Sequence, residues 1–318
     1  MSSGLTRWLR PLAWATLVAN IVLVVTGGAV RLTGSGLGCP TWPRCTESSF
    51  TPHGAMSLHA AIEFGNRLLT FVLVAIAVTT FLAAWGSPRR DVRVLAFVLA
   101  LGIPAQAVIG GITVLTDLNP WVVSFHLLCS LAMIGLSVLL LHRLSGPAGG
   151  AARGPVVVLA WLVFAAAWGV LYLGTVVTGS GPHAGDEDAV RNGLDPLQVS
   201  QLHADVVFLF LGLTIGLYFA VLAVGLSTRP LRWLLVVIVL QGTVGFVQYF
   251  TDLPVVLVAF HMLGAALVSA AVTWVLLEVR EPAVAGSGGF RGSGETVTVS
   301  AAETGPGSPL TPADAQQP

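Results

Sequence analysis

Eight runs of apolar residues divide the chain, near 11–30, 58–84, 93–115, 121–142, 155–177, 199–225, 231–250 and 255–279. A membrane-spanning helix needs roughly 20 such residues, so each run predicts one span. The expected fold class is all-α, a polytopic membrane protein with eight transmembrane helices. Polar residues are rare inside the runs, and their placement is informative. His59, His126, His203 and His261 lie within a turn or two of the same end of the second, fourth, sixth and eighth runs. Imidazole at membrane depth is costly, so an ionisable residue there is a functional hypothesis by default.

Composition agrees with the pattern. The 318 residues are 55% hydrophobic and 9% charged, against about 25% charged in soluble domains, and the mean hydropathy is +0.84. Nucleic-acid binding is excluded on that composition. The first run reads as a retained span rather than a signal peptide, because it is long and no small-residue cleavage site follows it. Arginines set the orientation. Arg7, Arg10, Arg89, Arg90, Arg93, Arg143, Arg153, Arg229, Arg232 and Arg280 lie at one set of alternate loops and ends. The other set holds Arg31, Arg44 and Arg191 among Glu47, Asp117, Asp186, Glu187, Asp188, Asp195 and Asp252. The positive-inside rule places both termini in the cytoplasm, and the four histidines then fall on the extracytoplasmic side of a cell membrane.

The two halves of the chain resemble each other. Leu32-Thr33-Gly34-Ser35-Gly36 matches Val177-Thr178-Gly179-Ser180-Gly181 at a shift of 145 residues. Gln106, Gly110, Thr116-Asp117-Leu118 and Phe125-His126 return as Gln241, Gly245, Thr251-Asp252-Leu253 and Phe260-His261 at a shift of 135. Four spans per half is an even number, so the expectation is two parallel four-helix repeats about an axis along the membrane normal. The expected organisation is a cytoplasmic N-terminus (1–10), an N-terminal half (11–143), a cytoplasmic linker (144–154), a C-terminal half (155–280) and a tail (281–318). The tail is rich in Gly, Ser, Thr, Pro and Ala and reads as disordered. The acidic loop 179–198 reads as a solvated surface, and the Thr-Gly-Ser-Gly elements read as turns at helix ends.

Neutral imidazole suits zinc, copper or haem iron. Zinc favours a third and fourth protein ligand close by, and no such cluster accompanies either pair. Two imidazoles on neighbouring helices match haem better: His203 with His261 in the C-terminal half, and His126 with a partner in the N-terminal half. That partner stays open. Asn66 precedes Gln106 by 40 residues and His203 precedes Gln241 by 38, whereas His59 precedes Gln106 by 47. His59 and Asn66 are two turns apart on one face, about 10 Å in depth.

Glu63 lies one turn from both His59 and Arg67. It reads either as an interfacial carboxylate paired with Arg67 at i,i+4 or as a group that moves a proton beside a reactive haem edge. Arg67 either neutralises Glu63 or meets a haem propionate. Cys39 and Cys45 flank Pro-Thr-Trp-Pro-Arg in the first outer loop, where two nearby cysteines predict a disulfide. Cys129, within the fourth span, reads as a packing residue. A phosphate-binding Gly-Lys-Ser/Thr loop is absent.

Taken together, the eight spans, the duplicated unit, the four outer-side histidines, the Cys-x5-Cys loop and the Glu63-Phe64-Gly65-Asn66-Arg67 run resemble the heme A synthase family, in its cysteine-pair bacterial form, over about residues 11–280. The resemblance implies an oxidoreductase that oxidises the C8 methyl of haem O to a formyl group, giving haem A for cytochrome oxidases. It implies a haem b cofactor on His203 and His261, and haem O as substrate on His126 with His59 or Asn66. Glu63, His59 and Arg67 are the implied catalytic residues, and Cys39–Cys45 the outer disulfide. The family pattern often reads Glu-x-x-His-Arg, and here Asn66 stands at the histidine position. Implied partners are haem O, the enzyme that makes it, an electron donor and the lipid bilayer, with a homo-oligomer left open and no nucleic acid. Two other readings are a di-haem b-type carrier exchanging electrons with quinone, and a non-enzymatic transporter built on the histidines.

Overall fold

The structure, a computed structural model, describes residues 6–51, 57–146, 152 and 154–280. The expected tail 281–318 lies outside the described residues, as do most of the linker and the first five residues of the chain. Eight helices follow one another: α1 (Leu9–Leu32), α2 (Leu58–Trp85), α3 (Arg90–Leu115), α4 (Pro120–Ser145), α5 (Pro155–Ser180), α6 (Pro196–Ala223), α7 (Arg229–Phe250) and α8 (Val255–Arg280). All eight are long and apolar enough to cross a membrane, and no strand occurs among the described residues. The chain is an all-α, multi-pass membrane protein. Every helix end lies within three residues of the boundary its hydropathy marks.

Local chemistry explains where the helices begin. Ser57 accepts a hydrogen bond from the Ala60 N–H at 3.1 Å to start α2. Asn119 accepts from the Trp121 N–H at 3.0 Å ahead of Pro120 in α4. Asp195 accepts from the N–H groups of Leu197 and Gln198 ahead of Pro196 in α6. Proline at the first helical position loses no hydrogen bond, and an Asn, Asp or Ser cap satisfies donors the helix leaves free. That cap is why α6 starts three residues before its apolar run.

Helix neighbours follow a simple plan. The bundle α1–α4 closes through contacts of α1 with α2, α2 with α3, α3 with α4, and α4 with α1. The bundle α5–α8 closes in the same order, and the two meet where α1 packs on α8, α4 on α5, and α4 on α8. Leu17, Ile134, Leu140, Val163, Ala167 and Val272 are buried in this core. Phe71, Phe97, Leu101, Phe208, Phe219 and Leu240, on α2, α3, α6 and α7, are exposed. Such a surface is compatible with lipid, because a helix satisfies most of its backbone polar groups internally. Small polar side chains tie the spans together: Ser269 of α8 donates to the Leu131 carbonyl of α4 at 2.8 Å, and Thr16 of α1 meets Thr80 of α2 at 3.0 Å. Polar and small residues have this role where lipid removes any hydrophobic drive for helix association.

Two turns recur in detail. Asp117 and Leu118 after α3, and Asp252 and Leu253 after α7, all have positive φ, between 49° and 59°. In each, the leucine N–H closes the turn on a carbonyl five residues back, Thr113 and Gln248, at 2.8 Å. A branched side chain in left-handed backbone is uncommon, so two consecutive such residues, met twice, are a specific feature. The Thr-Gly-Ser-Gly elements differ from each other. Gly34 turns left-handed at φ 63° after α1, whereas α5 stays helical through Ser180.

Loop 179–198 departs from the solvated surface expected of it. Ala184 and Ala189 are buried with Leu118, and the Gly36 N–H donates to the Gly185 carbonyl at 2.8 Å. His183 Nε2 meets the Leu253 carbonyl at 2.9 Å. Its acidic side chains point outward while its backbone seals the helix ends beneath, a division that composition does not reveal.

Candidate functional site

The N-terminal bundle encloses a cavity of about 730 Å3, within the range of small-molecule sites. Asn20 and Gly27 of α1, Glu63, Asn66 and Arg67 of α2, Gln106 and Gly110 of α3, and His126 and Ser130 of α4 line it. Trp42 and Pro43 of the first outer loop, Thr175 and Thr178 of α5, Ala184 and Gly185 of the loop after it, and Met262 of α8 also line it. The structure thus brings together four of the expected site residues: Glu63, Asn66, Arg67 and His126. His59 stands apart. It is exposed, lies outside the cavity wall, and its Nδ1 is 3.0 Å from Ser35 Oγ.

His126 leans on α3. A Cβ added at Gly110 would lie 3.3 Å from its Cε1. Its Nδ1 is buried without a hydrogen-bond partner. Gln106 donates to Ser130 Oγ at 2.8 Å and to the His126 carbonyl at 3.4 Å, and so fixes the helix turn that carries the ring. Across the cavity, Asn66 Oδ1 accepts from Thr26 Oγ1 at 2.8 Å.

Glu63 is 5% exposed and fully engaged. Its Oε2 accepts from the Cys39 N–H at 2.6 Å, and its Oε1 accepts from Arg67 Nε at 3.0 Å and from Arg67 Nη2. The guanidinium also donates to the carbonyls of Cys39, Thr41 and Arg44. Cys39 and Cys45 are joined in a disulfide. The ion pair therefore holds the disulfide loop by its backbone, and the loop in turn lays Trp42 against Gly111 of α3. Both readings of Glu63 have a place here: the i,i+4 pair exists, and the carboxylate is part of the cavity wall.

The C-terminal bundle carries His203 on α6 and His261 on α8. Each ring has a backbone partner, Val170 for His203 and Gln241 for His261, and each Nδ1 is buried with no partner. A Cβ at Gly174 would lie 3.3 Å from Cε1 of His203, and one at Gly245 would lie 3.2 Å from Cε1 of His261. Gln241 donates to the His261 carbonyl at 2.7 Å, the counterpart of the Gln106–His126 contact.

These three imidazoles share one design. Each sits against a glycine on the preceding helix, and each keeps one buried ring nitrogen free. A buried polar atom with no partner is costly and calls for an explanation; a histidine that ligates a metal is a standard one. Among the described residues, no three His, Cys, Asp or Glu side chains gather as a metal site. Isolated or paired imidazoles without such a cluster would suit haem iron better than a four-ligand zinc centre. Sequence reasoning assigned no chemistry to Gln106, Gln241, Gly110 and Gly245, although their recurrence was visible. Gly174 and Met262 carried no signal, and Trp42 entered only as part of the loop between Cys39 and Cys45.

Fold and site together define a multi-pass helical membrane protein whose His126, His203 and His261 each bury a ring nitrogen without a hydrogen-bond partner. A family model described as cytochrome oxidase assembly protein, COX15-CtaA, matches residues 10–185. The chain belongs to this family. It is 32% identical over 134 residues to the heme A synthase of Geobacillus thermodenitrificans, 41% of each protein. It is 29% identical over 143 residues to that of Shewanella oneidensis, 40% of this chain and 43% of the relative. A match to the heme A synthase of Staphylococcus epidermidis (strain ATCC 12228) extends over 277 residues at 23% identity, 79% of this chain and 90% of the relative. The chain thus spans about two fifths of the length of the Geobacillus relative it matches.

Proposed function

We propose that this chain is a haem-oxidising oxidoreductase of the membrane, converting haem O to haem A by oxidising the C8 methyl to a formyl group. The observation that carries the reading is the set of three glycine-backed imidazoles with an unpartnered buried nitrogen, at His126, His203 and His261. Similarity to relatives named heme A synthase supports the same reaction.

In this reading the N-terminal half (11–143) receives haem O and the C-terminal half (155–280) keeps haem b on His203 and His261, the two halves being parallel repeats. When bound, the haem iron supplies the redox chemistry. The residues of the chain do the rest. His126 orients the substrate in the cavity, and Asn66 faces it from α2 as the neutral counterpart of His203. A weaker group at that position suits a porphyrin that must enter and leave. His59 acts from the rim, through Ser35, rather than from the cavity wall. Glu63, held by Arg67 and the Cys39 N–H, places a carboxylate at the cavity edge, where it takes or returns a proton. Trp42 and the disulfide loop exclude water. Both termini face the cytoplasm, the sites lie towards the outer face of the cell membrane, and the partners are the enzyme that makes haem O and an electron donor.

The test is a chromatogram of haems extracted after co-expression with a haem O source. The formyl product is expected; unchanged haem O beside bound haem would overturn the reading in favour of an electron carrier. His203→Ala or His261→Ala should lose the stable haem spectrum. His126→Ala should retain it and make no product.

A further inference from the structure

Arg31, in the last turn of α1, lies between two spaces. It lines the 730 Å3 cavity, and it also lines a smaller outer recess of about 390 Å3 beside Arg191. Both guanidiniums are fastened to the loop after α5. Arg31 Nε donates to the His183 carbonyl at 2.7 Å and its Nη2 to the Thr178 carbonyl at 2.9 Å. Arg191 Nη2 donates to the Pro182 carbonyl at 2.8 Å, the peptide next to that of His183. Two positive charges are thereby held side by side on neutral acceptors. Asp186 and Glu187 line the outer recess, yet among the described residues neither forms an ion pair with Arg31 or Arg191.

A guanidinium has five N–H donors, and two of those on Arg31 are used. Shielded like charges without a counter-ion are unfavourable, and a carboxylate is the acceptor whose geometry the fork matches. Glu63, the carboxylate of the same cavity wall, is already engaged by Arg67 and Cys39. The free donors of Arg31 thus await an anion that arrives with the ligand.

We infer that Arg31, backed by Arg191, is a carboxylate-binding site that holds a propionate of the porphyrin in the N-terminal cavity and so sets which edge of the macrocycle faces Glu63. The inference rests on the reading of that cavity as the substrate site. It makes Arg31 a positioning residue: it anchors the polar edge of the substrate while His126 and Glu63 face the remainder.

The experiment uses the full chain, with its resident haem, in lipid nanodiscs. Zinc protoporphyrin IX and its dimethyl ester are titrated by fluorescence, which separates them from resident haem. The native protein should bind the free acid at least about tenfold more tightly than the ester, as hydrogen bonds to a charged partner require. Arg31→Gln should remove most of that preference and leave ester affinity unchanged. Arg191→Gln keeps the carbonyl bonds of Arg31 and should reduce the preference in part, which preserves the test if Arg31→Gln fails to accumulate. An acid-to-ester ratio that neither variant alters would overturn the propionate assignment alone, and would leave the two charges to an anionic lipid headgroup. Porphyrin binding that is absent, or that His126→Ala does not weaken, would overturn the cavity reading with it.

Discussion

Replacing Gly245 by alanine perturbs the C-terminal histidine pair without altering an imidazole. The new Cβ would lie 3.2 Å from Cε1 and 3.7 Å from Nδ1 of His261. Favourable carbon–carbon contact begins near 3.5 Å, so the ring must withdraw by about 0.3 Å. Metal–ligand distances hold to about 0.2 Å, so in the proposed haem b site this retreat would strain a bond from His261 to iron. Stability moves little, because alanine gains roughly 1 kcal/mol over glycine within a helix and overpacking costs about 1–3 kcal/mol. The variant should therefore fold and lose haem faster, by about tenfold for a loss of roughly 1.4 kcal/mol. The assay is transfer of resident haem to apomyoglobin, followed in the Soret band. Gly212→Ala and Gly216→Ala in α6, which meet nothing within 4 Å, are the matched controls and should transfer haem at the native rate. Gly110→Ala, 3.3 Å from Cε1 of His126, should keep the resident haem and lower the yield of haem A. If Gly245→Ala holds haem as firmly as Gly212→Ala, His261 is not a ligand in this geometry and the reasoning fails.

Glu63→Ala removes the acceptor of the Cys39 N–H and the partner of Arg67, a loss of roughly 1–3 kcal/mol. It should lower the melting temperature and expose the Arg44 segment to trypsin; Glu63→Gln, which still accepts from Cys39, should do so less, and equal protection in all three proteins would refute the clamp. Of the three cysteines, Cys129 alone should take a maleimide in denatured, unreduced protein, because Cys39 and Cys45 are bonded. Three labels before reduction would contradict the disulfide.

Span number and helix boundaries were legible because hydropathy acts locally: a run of about 20 apolar residues has one low-energy state in a bilayer, and a Pro behind an Asp or Asn cap marks where it starts. The disulfide and the Glu63–Arg67 pair were legible for the same reason, since both join residues close in the chain. The division between His59 and Asn66 was not. They share a helix face, and only the path of the first outer loop, which takes His59 to Ser35 and leaves Asn66 by Thr26, separates rim from cavity. Nor was the fate of loop 179–198, whose composition is that of a solvated segment and whose carbonyls bind Arg31 from 147 and 152 residues away.

By itself, the sequence determined the eight spans and the short-range pairs, since each follows from the transfer energy or spacing of neighbouring residues. Tertiary structure decided which imidazoles keep a free nitrogen, which glycines make room for them, and where a guanidinium is left without a carboxylate. Those properties depend on atoms of different helices meeting within a few ångströms, and no local pattern encodes such a meeting.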